Sequence, residues 1–334
     1  MRHAACTALS ALAAVLCCAR ADAQVMRMAE MNAAQIGGLN RDRTVIIIPG
    51  GIIEEHGPYL PVAADGYRNE RIAQDVAAAI AARPGWTAVI MPTVPLGSGA
   101  FEKVTGRPEF PGSVSVRAST LRAVFMDMAD ELGARGFRRV FVVNGHGDPN
   151  HNRAMDLAGD YFRDTYGGFM VHLLGRRGCQ AESIGETPPE SLYGTAAQAA
   201  DAGSPHAGTL EFSRTLYLRP DLVDTAYVRA PDVTAAGPGE WRQAAARPDW
   251  PGYVGAPRYS SMELGRWVYA SESRACSALA LRLVDGEDER TVERYADQMR
   301  SIPPVREALD GLLAEEEAQA RRQAEWLRTA PARP

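Results

Sequence analysis

The sequence predicts an α/β protein with a mostly parallel central sheet and helices on both of its faces. Short β-branched runs alternate with longer segments whose apolar residues recur at helical spacing, and this rhythm is typical of parallel sheets. In addition, clusters of acidic and histidine residues follow the ends of strand patterns. Open α/β sheets bind their ligands beyond the carboxyl ends of the strands, so these clusters lie where a ligand site is expected.

The predicted strands are short apolar runs bounded by turn residues. The first ends at Pro49-Gly50-Gly51, and its continuous apolar character is typical of a strand buried on both faces. The predicted strands are Thr44–Ile48, Thr87–Met91, Val140–Val143 and Phe169–Leu173.

The predicted helices lie between these strands. In the first, Ile72, Val76 and Ile80 are four residues apart, and Pro84-Gly85 stops the pattern. Ser119 is a plausible N-cap for the second. The predicted helices are Tyr67–Arg83, Thr120–Arg135 and Arg153–Tyr166.

Two later segments break the rhythm. Residues 230–259 are rich in Pro, Gly and Ala but contain Trp241 and Trp250, and disordered linkers rarely carry two tryptophans. We therefore expect an insert near residues 230–260 that packs over the site or against a neighbouring subunit. Residues 287–327 predict a charged helical tail, interrupted at Pro303-Pro304, that packs on the sheet and ends in solvent. No repeat or second domain signature divides residues 24–334.

The N-terminus predicts a secretory signal peptide over residues 1–23. Arg2 precedes an apolar stretch over residues 4–19, and Ala21-Asp22-Ala23 is a small-x-small cleavage site. A membrane anchor is disfavoured because the apolar run is short and breaks at Arg20. We expect a periplasmic or secreted protein with no membrane association after cleavage.

Composition sets further limits on function. The chain has 334 residues, is 46% hydrophobic and carries a net charge of −5 with no basic run, which argues against nucleic acid as a partner. Signal cleavage would leave two cysteines, Cys179 and Cys276, which could form a disulfide or remain buried thiols. Neither lies in the acid/histidine clusters, so a thiolate nucleophile is not expected.

The first cluster contains Glu54, His56 and Asp65. Residues two apart on an extended segment point the same way, so Glu54 and His56 can face one cavity. Asp65 precedes a predicted helix, where it could serve as an N-cap or as a carboxylate that bridges two cations.

The remaining clusters follow later strand ends. His146 lies between two glycines, and Asp148, two residues on, could be a ligand or a base. His206 could act as a general acid or base, and Glu211 follows it. Together the clusters can hold two divalent cations, Zn²⁺ and/or Mn²⁺, because mixed carboxylate and imidazole ligands accept either metal. The chain has no G-x-S-x-G, phosphate-loop or H-E-x-x-H motif.

Four motif segments carry a family resemblance in their order and spacing. They are residues 49–61 (PGGIIEEHGPYLP) with Asp65, residues 110–113 (FPGS), residues 144–147 (NGHG), and residues 206–208 (HAG) with Glu211. As a set they resemble the creatininase (creatinine amidohydrolase) family over residues 44–213. The resemblance implies a three-layer α/β/α sandwich and a homo-oligomer, commonly a hexamer.

The resemblance also implies a role for each cluster residue. The implied ligands are Glu54, Asp65 and His146 for one cation, and His56, Asp65 and either Asp148 or Glu211 for the other. His206 or Asp148 would transfer a proton to the leaving nitrogen. The implied activity is hydrolysis of a small amide, lactam or formamide C–N bond, or of a short peptide, by a metal-activated water.

Departures from the family pattern bear on the substrate. Tyr59 stands where many members have a histidine, and Asp148 stands where many have glycine. Creatinine itself is therefore disfavoured. The alternatives are a periplasmic metal- or ligand-binding protein, an inactive member, and a lactonase or phosphoesterase with the same site. The absence of an arginine cluster beside the motifs argues against a phosphoesterase.

Overall fold

The computed structural model describes residues 24–202 and 204–330, so the predicted signal peptide over residues 1–23 lies outside the described residues. Within these ranges five strands form one sheet. The strands are β1 (Gln24–Arg27), β2 (Thr44–Pro49), β3 (Thr87–Ile90), β4 (Arg139–Val143) and β5 (Phe169–His172). Their spatial order is β1-β3-β2-β4-β5, and every neighbouring pair is parallel. The predicted parallel α/β architecture is confirmed.

Strand β1 was not predicted from the sequence. Its four residues, QVMR, are mostly exposed and contain no continuous apolar run. It pairs with β3 alone, at the edge of the sheet. An exposed edge strand lacks the buried pattern by which the four inner strands were recognised.

Helices cover both faces of this sheet. The α-helices within the described ranges are α1 (Ala33–Gly37), α2 (Ala64–Ala81), α3 (Phe101–Val104), α4 (Ala118–Ala134), α5 (Pro149–Tyr166), α6 (Thr195–Ala200), α7 (Thr209–Leu218), α8 (Pro238–Ala245), α9 (Met262–Val284), α10 (Tyr295–Arg300) and α11 (Pro303–Thr329). The three predicted helices correspond to α2, α4 and α5, and each begins earlier than the sequence pattern indicated. None of the helices in the described part of the chain is both long and apolar enough to cross a membrane.

The central strand β2 divides two hydrophobic cores. Val45 and Ile47 point to the face covered by α2 and α9. Ile46 and Ile48 point to the opposite face, covered by α4 and α5. This alternation buries both faces of the strand and produces the three-layer α/β/α sandwich.

Two further features fix the segments after β5. Cys179 and Cys276 form a disulfide, which joins the turn after β5 to α9 and resolves the alternative that the sequence left open. The segment over residues 230–259 packs into a third apolar cluster, in which Trp250 and Tyr253 are buried with Phe101.

Candidate metal centre

The candidate site lies where the chain reverses its direction across the sheet. From β2 the chain goes to β3 on one side and returns to β4 on the other, so the loops after β2 and β4 flank a crevice. Asn69 of α2 ties these loops together, because its Nδ2 donates to the carbonyls of Gly50 and Gly145, each at 3.1 Å. Asn69 is fully buried, and sequence analysis missed its role.

Among the described residues, three groups of side chains place their ligand atoms within 4.8 Å of one another. The groups are Glu54, Asp65 and His146; His56, Asp65 and Glu211; and Glu54, His56 and His206. Asp65 belongs to two groups that otherwise share no residue. It lies in the first turn of α2 and is not the N-cap, which is Ala63. The helix dipole there favours a negative charge.

Backbone carbonyls orient the histidine rings of this site. His56 Nδ1 donates to the carbonyl of Glu54 at 3.0 Å, and its Nε2 lies 3.7 Å from Glu211 Oε1. His146 Nε2 donates to the carbonyl of Gly99 at 3.2 Å, which leaves Nδ1 toward Glu54 and Asp65 at 3.2 and 3.3 Å. A hydrogen bond from one ring nitrogen to a carbonyl fixes the tautomer and leaves the other nitrogen free to bind a metal.

The residues present fit a divalent cation. Within the described part of the chain, the buried Nε2 of His56 has no hydrogen-bond partner, although it faces a carboxylate. Buried polar atoms without a partner are rare, and a metal ligand is one reason for such an atom. The donor set of carboxylate oxygens and imidazole nitrogens suits Zn²⁺ or Mn²⁺.

The side chains of the site strongly perturb one another's ionisation. Burial alone would raise the pKa of Glu54, but the charges of His146 and His206 lower it to about 2. Burial would lower the pKa of His56, but the nearby carboxylate of Glu211 favours the charged ring and raises that pKa to about 10. Clusters with such shifts are typical of functional sites.

His206 is also brought to this site. Its Nε2 donates to the carbonyl of Glu55 at 2.6 Å, while Nδ1 lies 4.0 Å from Glu54 Oε2. The ring stacks on Phe101, with 4.6 Å between the centroids. His206 therefore presents one nitrogen to the cluster, a position from which it could bind a cation or move a proton.

Asp148 is the predicted ligand that the structure leaves outside the three groups. It caps α5, and its Oδ1 accepts from the backbone N–H of His151 at 2.7 Å. Burial raises the pKa of its carboxyl to about 6. Its carboxylate packs so closely against Gly99 that a side chain at that glycine would collide with it.

Sequence analysis missed a partly buried arginine–glutamate network beside the potential ligands. Arg68 donates to Glu272 from Nε at 2.9 Å, and Arg214 lies 3.7 Å from Glu272 and 3.4 Å from Glu211. Arg68 follows Asp65 by three residues, and Arg214 follows Glu211 by three, so each pair shares a helix face. This three-residue spacing was the signal in the sequence from which the network could have been predicted. The sequence analysis found no arginine cluster beside the motifs, but the structure places these two arginines there. Both pair with Glu272.

A cavity of about 580 Å³ opens from these side chains. Its lining includes Glu54, Asp65, His146 and Glu211, together with Phe101, Trp241 and residues of α11. Its volume lies within the range that holds drug-sized ligands. These four potential metal ligands are thus accessible to a bound molecule.

Comparison with known proteins identifies the family. The model of the creatininase family, described as creatinine amidohydrolase, matches residues 29–280. The chain belongs to the creatininase family. It is similar to the structure of creatinine amidohydrolase (creatininase), with a TM-score of 0.56 and 20% identity over 78% of this chain and 99% of that one. This likeness supports the shared fold.

Curated relatives of the family differ in the activity for which they are named. The chain is 28% identical to creatinine amidohydrolase of Pseudomonas putida, over 67% of this chain and 84% of the relative. It is 27% identical to the mycofactocin precursor peptide peptidase of Mycobacterium ulcerans, over 73% and 87%. Both names describe hydrolases, one of creatinine and one of a peptide.

Proposed function

We propose that this protein is a metal-dependent amidohydrolase that cleaves an amide C–N bond at a dinuclear site. The observation that carries the proposal is the position of Asp65, which is shared by two ligand groups. A carboxylate has two oxygens and can bridge two cations. Glu54 and His146 would complete one site, and His56 and Glu211 the other.

Two divalent cations would supply a water nucleophile at neutral pH and polarise the amide carbonyl. The chain's own residues would orient the reacting groups. His206 Nδ1 faces the cluster, and its Nε2 is anchored on the carbonyl of Glu55. This ring could therefore carry a proton to the leaving nitrogen without changing its position. Asp148 is a weaker candidate because its carboxylate caps α5.

The test combines elemental analysis with hydrolysis of an amide, lactam, formamide and dipeptide panel, before and after chelation. We expect about two metals per chain, and activity that chelation removes and Zn²⁺ or Mn²⁺ restores. Asp65→Asn should lose both metals and the activity. Asp75→Asn is a matched control on the same helix, because Asp75 bonds Tyr269 and Ser273 away from the ligand groups.

One metal per chain would contradict the dinuclear site, whereas activity unaffected by chelation would contradict metal dependence altogether. We also propose that the chain is exported to the periplasm or medium and forms a homo-oligomer. The disulfide supports the first of these, since disulfides persist in oxidising compartments. Cell fractionation and light scattering would test the two.

A further inference from the structure

The cavity beside the metal centre is lined on another side by the C-terminal helices. Met299 of α10 and Val305, Leu309 and Leu312 of α11 line the same cavity as Asp65. Phe101 and Trp241, whose ring centroids are 6.1 Å apart, add aromatic surface. The cavity thus combines a charged ligand cluster with a large apolar wall.

The apolar residues of α11 form one stripe along the helix. Val305, Ala308, Leu309 and Leu312 are spaced at i, i+3, i+4 and i+7, which is one face of an α-helix. All four line the cavity. The helix therefore turns an ordered apolar face toward the site.

Specific contacts hold α11 in this position. The carbonyl of Leu309 accepts from Asn150 Nδ2 of α5 at 3.0 Å. The carboxylate of Glu316 accepts from the backbone N–H of Ala118, at the start of α4, at 2.8 and 2.9 Å. Because two different helices of the sandwich anchor α11, the wall is preformed, which lowers the cost of binding a ligand.

The wall lies outside the part of the chain that matches the family model. That match ends at residue 280, whereas Met299 and the α11 stripe follow it. Relatives known for creatinine or a peptide therefore give no guide to what this wall contacts. The sequence predicts that the tail packs on the sheet. In the structure, Leu313 of α11 packs against the hydrophobic core that α4 and α5 cover.

We propose that the substrate is an amide carrying an extended apolar group, which the α11 stripe and Trp241 bind while the amide lies at the ligand cluster. This inference rests on the proposed amidohydrolase function. A small polar amide would fill little of the cavity and leave the apolar wall in contact with water. Each buried methylene should improve affinity about fourfold.

Two series of binding measurements by calorimetry test this chemistry. Metal-loaded protein is titrated with straight-chain hydroxamates from acetyl to octanoyl, which bind cations through their head group. Chelated protein is titrated with the corresponding primary alkanamides. We expect affinity to rise with chain length in both series, and the hydroxamates to bind more tightly.

Variants of α11 locate the apolar subsite. Leu312→Asn and Val305→Asn should weaken octanoyl hydroxamate binding by about tenfold or more while leaving acetyl hydroxamate unchanged. Leu327→Asn is the matched control, since Leu327 lies on the same helix but is exposed and outside the cavity lining. Circular dichroism verifies that each variant is folded.

The outcomes separate the two proposals. Tight hydroxamate binding without chain-length dependence, or equal losses in Leu312→Asn and Leu327→Asn, would overturn the apolar subsite and leave the metal centre intact. Chain-length dependence in both series, with hydroxamates no tighter than amides, would support the subsite and contradict the metal centre. No binding of any ligand in either series would overturn the subsite.

Discussion

At the scale of single residues, the second ligand group depends on which carboxylate faces His56. Glu211 Oε1 lies 3.7 Å from His56 Nε2, and Arg214 supports the same carboxylate at 3.4 Å. Asp148 instead binds a backbone N–H at the start of α5. The geometry favours Glu211 as the ligand and gives Asp148 a capping role.

Paired substitutions at these two residues test that assignment. Asp148→Asn keeps a good N-cap side chain, so we expect full metal content, whereas Asp148→Ala should lower the free energy of unfolding by about 1 kcal/mol. Glu211→Gln should lose one of the two proposed cations. Elemental analysis and urea unfolding measure these effects. If Asp148→Asn loses metal, Asp148 is a ligand after all.

The ionisation of His56 makes a second prediction at this scale. The raised pKa of His56, about 10, means that the ring is protonated at neutral pH in protein stripped of metal. A cation can bind only the deprotonated nitrogen, so binding must release this proton. Below pH 10, metal affinity should therefore fall as pH falls, by about tenfold per pH unit for each proton released.

Calorimetric titration of chelated protein with Zn²⁺, in buffers of different ionisation enthalpy at one pH, counts the protons. We expect at least one fewer proton released by His56→Gln than by the unmodified chain. Equal heats in all buffers would show that the ligands are already deprotonated, and would contradict the pKa assigned to His56.

At the scale of elements, the sequence patterns correctly predicted the strands that are completely buried. Strand β2 has no exposed residue, so its apolar run was unmistakable. Edge strand β1 has no such pattern. Helix α5 begins at Pro149, in the first-turn position where proline is tolerated, whereas the apolar pattern placed its start at Arg153. The position at which a helix begins therefore depends on its capping residues, and the spacing of apolar residues does not predict that position.

The disulfide connects two elements that sequence order keeps apart. Cys179 and Cys276 are separated by 97 residues, so the bond closes a long loop of the unfolded chain. Closing such a loop typically contributes about 2–4 kcal/mol to stability. We expect Cys276→Ala to lower the free energy of unfolding by that amount, measured by urea denaturation. Metal content should be unchanged, because neither cysteine belongs to the ligand groups.

Reduction of the unmodified protein by a thiol serves as the control for this substitution. It should lower stability to the level of Cys276→Ala and should leave that variant unaffected. A reductant that lowers the stability of both proteins equally would show that the effect does not arise from this bond.

At the scale of the whole molecule, the site is predictable only in part. Glu54, His56 and His146 were found because they lie near strand ends, and parallel strands bring those ends to one edge. Asp65 was found as the carboxylate that precedes a predicted helix. The apolar wall was not found, because α11 approaches the cavity through long-range contacts such as Asn150 with Leu309. The local sequence pattern of an amphipathic helix predicts which face is buried but not which part of the protein that face packs against.

The balance of charge in the ligand cluster leads to a prediction about the stability of the whole chain. Raised pKa values for His56 and His146 and a lowered one for Glu54 mean that, without metal, protonated histidines offset the buried carboxylates. The chelated protein should therefore stay folded. It should nevertheless melt at a lower temperature, because ligand at 1,000 times its dissociation constant stabilises the native state by about 4 kcal/mol.

For a chain of this size that difference corresponds to a fall of about 6 °C in Tm on chelation, measurable by scanning calorimetry. Asp65→Asn, which removes the shared ligand, should already melt near the lower temperature and should not respond to the chelator. Asp75→Asn should respond as the unmodified protein does. A chelator effect that persists in Asp65→Asn would place the stabilising metal elsewhere in the molecule, and would separate metal binding from the ligand groups around Asp65.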